Sequence, residues 1–290
     1  MEQDCRGELR GHRAAIFAQS RAPAQPASVQ PSSRRPDEAG GPLRYRRDVR
    51  APLAIAAAQP ACAARDVPAN ARAHAGAVRA ARARVVVFPE LSLTGYELHV
   101  PAVSTADPAL RPIVEACADA GAVALAGAPV EQGGRRFIAT LHIDGTGTRV
   151  AYRKAHLGGD EVGRFAPGDG PAVVEVDGWR LGMGICKDTG VDEHTAATAA
   201  LGIDAYVAGL VHAPGELAEQ DARGRRIAAA CAAHVVFASF AGPAGGGYPA
   251  TAGASTIWSP GGRVLARAGR APGEIARARL ERVAVPAGAE

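Results

Sequence analysis

The arrangement of apolar and polar residues beyond the first 50 positions alternates between short apolar runs and helical periodicities. Continuous apolar runs at 53–59, 85–88 and 122–130 predict buried strands. Apolar residues at helical spacing over 68–83 and 108–120 predict helices between these strands. The order strand, helix, strand is typical of an α/β fold.

The second half of the chain combines the same alternation with predicted hairpins. Residues 135–154 read as two strands joined by a turn at 144–147, and a second strand pair turns at Asp177-Gly178. The remaining predicted elements are helices at 191–200 and 216–233, strands at 205–208 and 235–240, and a last hairpin within 254–269. Together they predict mixed sheets covered by helices, for which a four-layer α-β-β-α sandwich is one solution.

The first 50 residues differ in composition from the rest of the chain. They are rich in Arg, Pro, Gln and Ser, as in SRAPAQPASVQPSSRRPDEAGGP, and show no apolar periodicity. Such a segment buries too little apolar surface to offset the entropy lost on ordering. We therefore predict a disordered N-terminal extension over 1–50 and a folded domain over 51–285.

Charge and cysteine content narrow the class of protein. The formal net charge of +4 comes from the first 50 residues, with ten arginines and six acids, so the predicted domain is neutral. Neutrality and an aromatic content of 4% argue against a nucleic-acid-binding surface. Five widely spaced cysteines fit reduced thiols, and neither a signal peptide nor the roughly 18 apolar residues of a membrane span is found. We expect a cytoplasmic protein without a membrane partner.

Lysine is almost absent from this chain. Only Lys154 and Lys187 occur among 33 basic residues, so arginine serves wherever a positive surface charge suffices. A lysine that remains is a candidate for a role that needs a compact ammonium group.

Three reactive side chains follow or end predicted strands. Glu90 follows VVVFP, Lys154 ends RVAYR, and Cys186 ends RLGMGI. Ligands of α/β sheets collect where strands end and loops begin, so these side chains are expected to share one crevice.

The chemistry of the three residue types is complementary. A free cysteine is more often a buried structural residue, but Cys186 becomes a candidate nucleophile if a base and oxyanion donors lie beside it. Glu90 is the candidate base, since its apolar neighbours are expected to desolvate the carboxylate and raise its pKa. Lys154 is the candidate electrophilic group, and the backbone N–H of Lys187 is a candidate oxyanion donor.

The segments VVVFPELSLTGYEL, YRKAHLGGDEVGRFAPGDG and RLGMGICKD resemble, in order and separation, the three signature segments of the nitrilase superfamily, the carbon-nitrogen hydrolases. The resemblance covers about residues 53–280. It implies a catalytic triad of Glu90, Lys154 and Cys186, with Glu161 positioning substrate and lysine. It also implies a nitrilase-like α-β-β-α sandwich of two mixed sheets, no metal or organic cofactor, and a homodimer or higher homo-oligomer.

Two positions depart from the family pattern. Lys187 stands where the family generally has an aromatic residue, and the stretch RRIAAACAAH has alanines where an acid and an amide are common. We assign Lys187 to substrate positioning or to lowering the thiol pKa. The expected function is cysteine-dependent hydrolysis of non-peptide C–N bonds in a small linear amide or N-carbamoyl compound, through a thioester. The alternatives are a nitrilase, an acyl transferase, or a non-catalytic homologue that binds a small molecule.

Overall fold

The computed structural model describes residues 51–282. The extension predicted over 1–50 lies outside the described residues, as does the predicted domain end at 285. Within residues 51–282 the chain forms strands, α-helices and short 3₁₀ turns.

Except for the last strand, the strands and helices follow the order that the sequence predicts. The strands are β1 (Leu53–Ala58), β2 (Val85–Val87), β3 (Val123–Gln132), β4 (Arg135–Asp144), β5 (Gly147–Arg153), β6 (Val173–Val176), β7 (Trp179–Ile185), β8 (Ala205–Leu210), β9 (His234–Ser239), β10 (Thr256–Trp258), β11 (Val264–Arg267) and β12 (Ile275–Leu280). The α-helices are α1 (Val67–Ala81), α2 (Arg111–Ala120), α3 (Asp192–Ala199) and α4 (Leu217–Cys231).

The strands form two mixed sheets of six strands each. Their orders are β12-β1-β2-β3-β4-β5 and β11-β10-β9-β8-β7-β6. The centre of each sheet is parallel, since β1, β2 and β3 run in one direction, as do β7, β8 and β9. The outer strands pair antiparallel.

Apolar side chains fill three layers around these sheets. Val85 and Met183 belong to the layer between the sheets. Val78 of α1 and Ile113 of α2 pack on the outer face of the first sheet. Ile227 of α4 packs on the outer face of the second sheet, which α3 also contacts. The predicted four-layer α-β-β-α sandwich is confirmed.

The turn at Asp177-Gly178 shows how the local sequence sets the register of the second sheet. Both residues have positive φ, 51° and 77°. Two consecutive positive φ angles form the tight turn whose twist matches antiparallel strands, and Asp-Gly tolerates them well. Val176 therefore pairs with Trp179, and strand β7 runs from there to Ile185, directly before Cys186.

Strand β12 has no counterpart in the predicted elements. It pairs antiparallel with β1 in the register Leu53 to Leu280 and forms one edge of the first sheet. In its sequence, IARARL, exposed Arg277 and Arg279 alternate with buried or half-buried residues. Charged side chains are common on edge strands because they oppose pairing with another chain, and they hide the apolar pattern of this strand.

Candidate active site

The structure brings three of the predicted side chains into direct contact. Nζ of Lys154 donates hydrogen bonds to Oε1 of Glu90 at 2.6 Å and to Oε1 of Glu161 at 2.7 Å. Each of these residues is only 1% exposed. Buried charges are tolerated only when they are paired, so the ammonium and the two carboxylates depend on one another.

Cys186 stands at the end of β7, where a 3₁₀ turn over Cys186–Gly190 begins. Its φ of 37° lies in the left-handed region, which is unfavourable for residues other than glycine. Such strained backbone is often found at functional positions. The thiol donates to the backbone oxygen of Val211 at 3.4 Å, and the charges of Glu90, Lys154 and Glu161 influence its pKa.

The environment of Glu90 favours a protonated carboxyl group more than water does. Burial raises the pKa of Glu90 to about 7, while the charge of Lys154 opposes that rise and the charge of Glu161 adds to it. The direction is the one that the sequence predicted. Oε2 of Glu90 is buried without a hydrogen-bond partner of regular geometry among the described residues. A weaker interaction with the Cys186 thiol lowers the pKa of Glu90.

The thiol of Cys186 is protonated in the resting site. Burial raises its pKa to about 12, and the Glu90 charge adds to this effect while the Lys154 charge opposes it. Burial also lowers the pKa of Lys154, but the charges of Glu90 and Glu161 and the hydrogen bond to Glu161 oppose that effect, and the pKa lies above its ordinary value. The site is therefore a thiol beside a carboxylate and a permanent ammonium group. This arrangement suits proton transfer from sulfur to Glu90 during attack on a substrate.

Two glycines allow the segment that carries Glu90 to lie close to strands of both sheets. A Cβ atom on Gly127 of β3 would lie 2.3 Å from the backbone nitrogen of Leu91. A Cβ atom on Gly209 of β8 would lie 2.6 Å from the backbone oxygen of Phe88. Residues 88–91 therefore pass between the two sheets at a place where no side chain fits. Sequence analysis did not identify either glycine, although glycine inside a strand often marks such a close approach.

Glu161 has further partners besides Lys154. The hydroxyl of Tyr96 donates to Oε1 of Glu161 at 2.8 Å, and the backbone N–H of Gly158 donates to Oε2 at 2.6 Å. These bonds fix the carboxylate, which in turn orients Lys154. The predicted positioning role of Glu161 toward Lys154 is consistent with this geometry, and Tyr96 is a member of the site that the sequence did not indicate.

Asp188 connects the lysine segment with the cysteine turn. Its Oδ1 accepts from the backbone N–H of His156 at 2.8 Å, two residues after Lys154. Its Oδ2 accepts from the backbone N–H of Ile185 at 3.0 Å and from the hydroxyl of Tyr152 at 2.8 Å. Asp188 is fully buried. One carboxylate thus positions both segments, a role that its place after Cys-Lys did not reveal.

Lys187 does not join this cluster. Its side chain is exposed and makes no hydrogen bond or ion pair with other residues of 51–282. The pKa of the adjacent Cys186 thiol is raised rather than lowered. The predicted role of Lys187 in substrate positioning stays a prediction.

Two other kinds of feature, a metal-binding cluster and a membrane-spanning helix, are not found among the described residues. Across 51–282, no group of three or more His, Cys, Asp or Glu side chains is placed to hold a metal ion. In the same range, no helix has the length and apolar character needed to cross a membrane.

Comparison with known proteins gives both family and fold. The family model described as carbon-nitrogen hydrolase matches residues 54–287. A hydrolase in the pqqF 5′ region of Pseudomonas protegens is 35% identical over 149 residues, which are 48% of this chain and 52% of that protein. The hydrolase Rv0480c of Mycobacterium tuberculosis is 31% identical over 221 residues, or 69% of this chain and 78% of that protein.

A solved structure shares the architecture. It is a mutant of the amidase from Nesterenkonia sp. AN1 that shows the result of Michael addition of acrylamide at the active-site cysteine. Its TM-score is 0.71 at 24% identity, and the match covers 79% of this chain and 93% of that one. The chain spans about half the length of the Pseudomonas relative, yet the family model extends over nearly all of the described domain. Because that model matches most of the sequence, this chain belongs to the carbon-nitrogen hydrolase family.

Proposed function

We propose that this protein hydrolyses the C–N bond of a small linear amide or N-carbamoyl compound through a thioester on Cys186. Glu90 acts as the general base and acid, Lys154 stabilises the oxyanion, and Glu161 holds Lys154 in place. The proposal depends on the contacts among these buried groups and on family membership.

In the first half-reaction, the sulfur of Cys186 bonds to the carbonyl carbon and its proton moves to Glu90. The carbonyl π electrons move to oxygen, which accepts hydrogen bonds from Lys154 and from the backbone N–H of Lys187. The tetrahedral intermediate then collapses, the C–N bond breaks, and Glu90 returns the proton to the departing nitrogen. Ammonia or an amine leaves, and the acyl group stays on sulfur.

In the second half-reaction, water attacks the thioester carbon and gives a proton to Glu90. The C–S bond breaks, the sulfur takes that proton back, and a carboxylic acid leaves. Glu90 thus ends each half-reaction as a carboxylate, so no external acid or base is consumed.

The observation that carries the proposal is the pair of hydrogen bonds that Nζ of Lys154 donates. An ammonium group has three N–H donors, and Glu90 and Glu161 accept two of them. The third donor is available to an oxyanion. The buried Oε2 of Glu90 has no regular partner and is available to a thiol or water proton.

The test is ammonia release from a panel of amides, N-carbamoyl amino acids and nitriles. We expect wild-type protein to release ammonia from amides or carbamoyl compounds, and Cys186→Ala to release none above background. The matched control is Cys231→Ala, because Cys231 is also half-buried but lies on α4. Turnover by a folded Cys186→Ala protein, confirmed by an unchanged melting temperature, would refute the mechanism.

A further inference from the structure

An apolar cluster adjoins the sulfur of Cys186. Its buried members are Val211, Phe240 and Ala244, and Cys186 itself packs against them together with Tyr96, Tyr248 and Cys62. If the proposed thioester forms, its acyl group is attached at this sulfur and lies beside these side chains. The chemical character of the cluster therefore bears on which acyl groups the protein accepts.

Two half-buried tyrosines lie at the edge of this apolar cluster. The rings of Tyr96 and Tyr248 meet edge to face, with their centroids 5.2 Å apart. Tyr248 belongs to a glycine-rich loop over 241–252, which is closed by a bridge between Ala241 and Ala252. The loop is anchored where the backbone N–H of Tyr96 donates to the Ala244 oxygen at 2.7 Å. The two rings offer flat apolar surface to a small ligand.

When Glu90 is ionised, the site carries a net negative charge. The carboxylates of Glu90 and Glu161 face the single ammonium of Lys154, which is the only cation among residues 51–282 that pairs with them. The same negative charge acts on Tyr248, since burial raises its pKa and the charges of Glu216, Glu90 and Glu161 raise it further. A substrate carboxylate held against the apolar cluster would add another negative charge to a site whose ammonium group is already paired with two carboxylates.

Three basic side chains from neighbouring segments do not offset the negative charge of the site. Arg164 is exposed and donates to His99 and to the Asp160 oxygen. His212 is buried, its Nδ1 pairs with Gln220, and burial lowers its pKa, so it is neutral. Lys187 is exposed to solvent, where its charge is screened.

We propose, resting on the hydrolysis argued above, that the substrate is a neutral amide whose acyl group is apolar and carries no carboxylate. The apolar cluster and the paired tyrosines hold the acyl group, and the uncompensated carboxylate charge rejects anionic substrates. N-carbamoyl amino acids, which carry a carboxylate near the reacting carbon, are therefore poor substrates.

The test compares three amides of similar size on the wild-type protein: pentanamide, succinamide and succinamate. Succinamide and succinamate differ mainly in that one amide is replaced by a carboxylate. After correction for the two equivalent amides of succinamide, we expect kcat/KM to be at least about tenfold lower for succinamate because like charges repel in a poorly solvated site. Pentanamide should match or exceed succinamide.

A variant with an added cation tests whether the preference against a substrate carboxylate arises beside Tyr248. Tyr248→Arg places a cation beside the acyl group and should raise the ratio of succinamate to succinamide kcat/KM by at least about tenfold. Tyr248→Phe, which keeps the ring and adds no charge, should leave that ratio as in the wild type. A folded Tyr248→Arg protein with the wild-type ratio would show that Tyr248 does not border the acyl group.

The outcomes separate the two proposals. If succinamate is hydrolysed as well as succinamide or better, the neutral-substrate inference is wrong and thiol-dependent hydrolysis stands. If none of the three amides releases ammonia while nitriles or other compounds do, the proposed hydrolysis of amides is wrong as well.

Discussion

Replacing Gly127 by alanine tests whether the position of Glu90 depends on close contact between β3 and the segment 88–91. The new Cβ atom would lie 2.3 Å from the backbone nitrogen of Leu91 and 2.4 Å from the backbone oxygen of Pro89, whereas ordinary contact begins at 3.4 Å. Strand β3 is paired on both sides, with β2 and β4. The segment 88–91 therefore has to retreat by about 1 Å, since a packed interior has no free volume to absorb the methyl group.

The expected effect is large on catalysis and modest on stability. A displacement of about 1 Å in a catalytic group costs about 100-fold in rate. We therefore expect Gly127→Ala to lower kcat/KM about 100-fold, mainly through kcat, because Glu90 acts in the chemical steps. Overpacking should lower the free energy of unfolding by about 1–3 kcal/mol.

The assay is ammonia release by protein whose folding is confirmed by circular dichroism and thermal melting. Gly209→Ala is a second test from the opposite sheet, where a Cβ atom would approach the Phe88 oxygen to 2.6 Å. Gly76→Ala is the matched control, because it lies within helix α1 and a Cβ atom there has no neighbour within 4 Å. If folded Gly127→Ala retains kcat/KM within about threefold of wild type, the contact does not set the position of Glu90.

Three further predictions concern the charged groups of the site. Because burial raises the pKa of Glu90 to about 7 and only its carboxylate form accepts a proton, kcat/KM should fall about tenfold per pH unit below 7; an acid limb near 4.5, the ordinary value, would contradict this. Lys154→Met leaves two buried carboxylates without a cation and should lower the free energy of unfolding in urea by about 3–5 kcal/mol, with part of the loss restored by adding Glu161→Gln; no recovery would contradict the pairing. In Asp188→Asn, only one of the two side-chain atoms that replace Oδ1 and Oδ2 can accept a hydrogen bond. The variant should therefore lose about 1–3 kcal/mol in the free energy of unfolding and have a lower kcat. An unchanged kcat would show that Ile185 is held without this carboxylate.

The elements that sequence analysis predicted correctly are those whose pattern is local. Buried strands such as β2 are continuous apolar runs, and the turn at Asp177-Gly178 is encoded in two adjacent residues. Glu90, Lys154 and Cys186 could be placed in one crevice because each follows or ends a strand. Strand β12 was missed because exposed arginines interrupt its apolar residues, and its pairing partner β1 lies more than 200 positions earlier.

The remaining parts of the site depend on contacts between distant segments. Gly127 and Gly209 matter only because each strand passes the same four residues, 88–91, from opposite sides. Asp188 looks like an ordinary acid in the sequence. Its hydrogen bonds with three residues form only because the folded chain brings the lysine segment beside the cysteine turn. The exposure of Lys187, next to a cysteine that is packed against three apolar clusters, likewise depends on the direction of one turn.

The bonds of Asp188 have a consequence for changing the specificity of this protein by directed evolution. Because a single carboxylate fastens the chain after Lys154 to the turn at Cys186, insertions or random mutations in either segment disturb the other as well. The loop over 241–252 makes no hydrogen bond to Asp188, and its Tyr248 contacts Tyr96, whose hydroxyl donates to Glu161. Libraries that vary this loop therefore alter the surroundings of Tyr248 and leave the bonds of Asp188 in place.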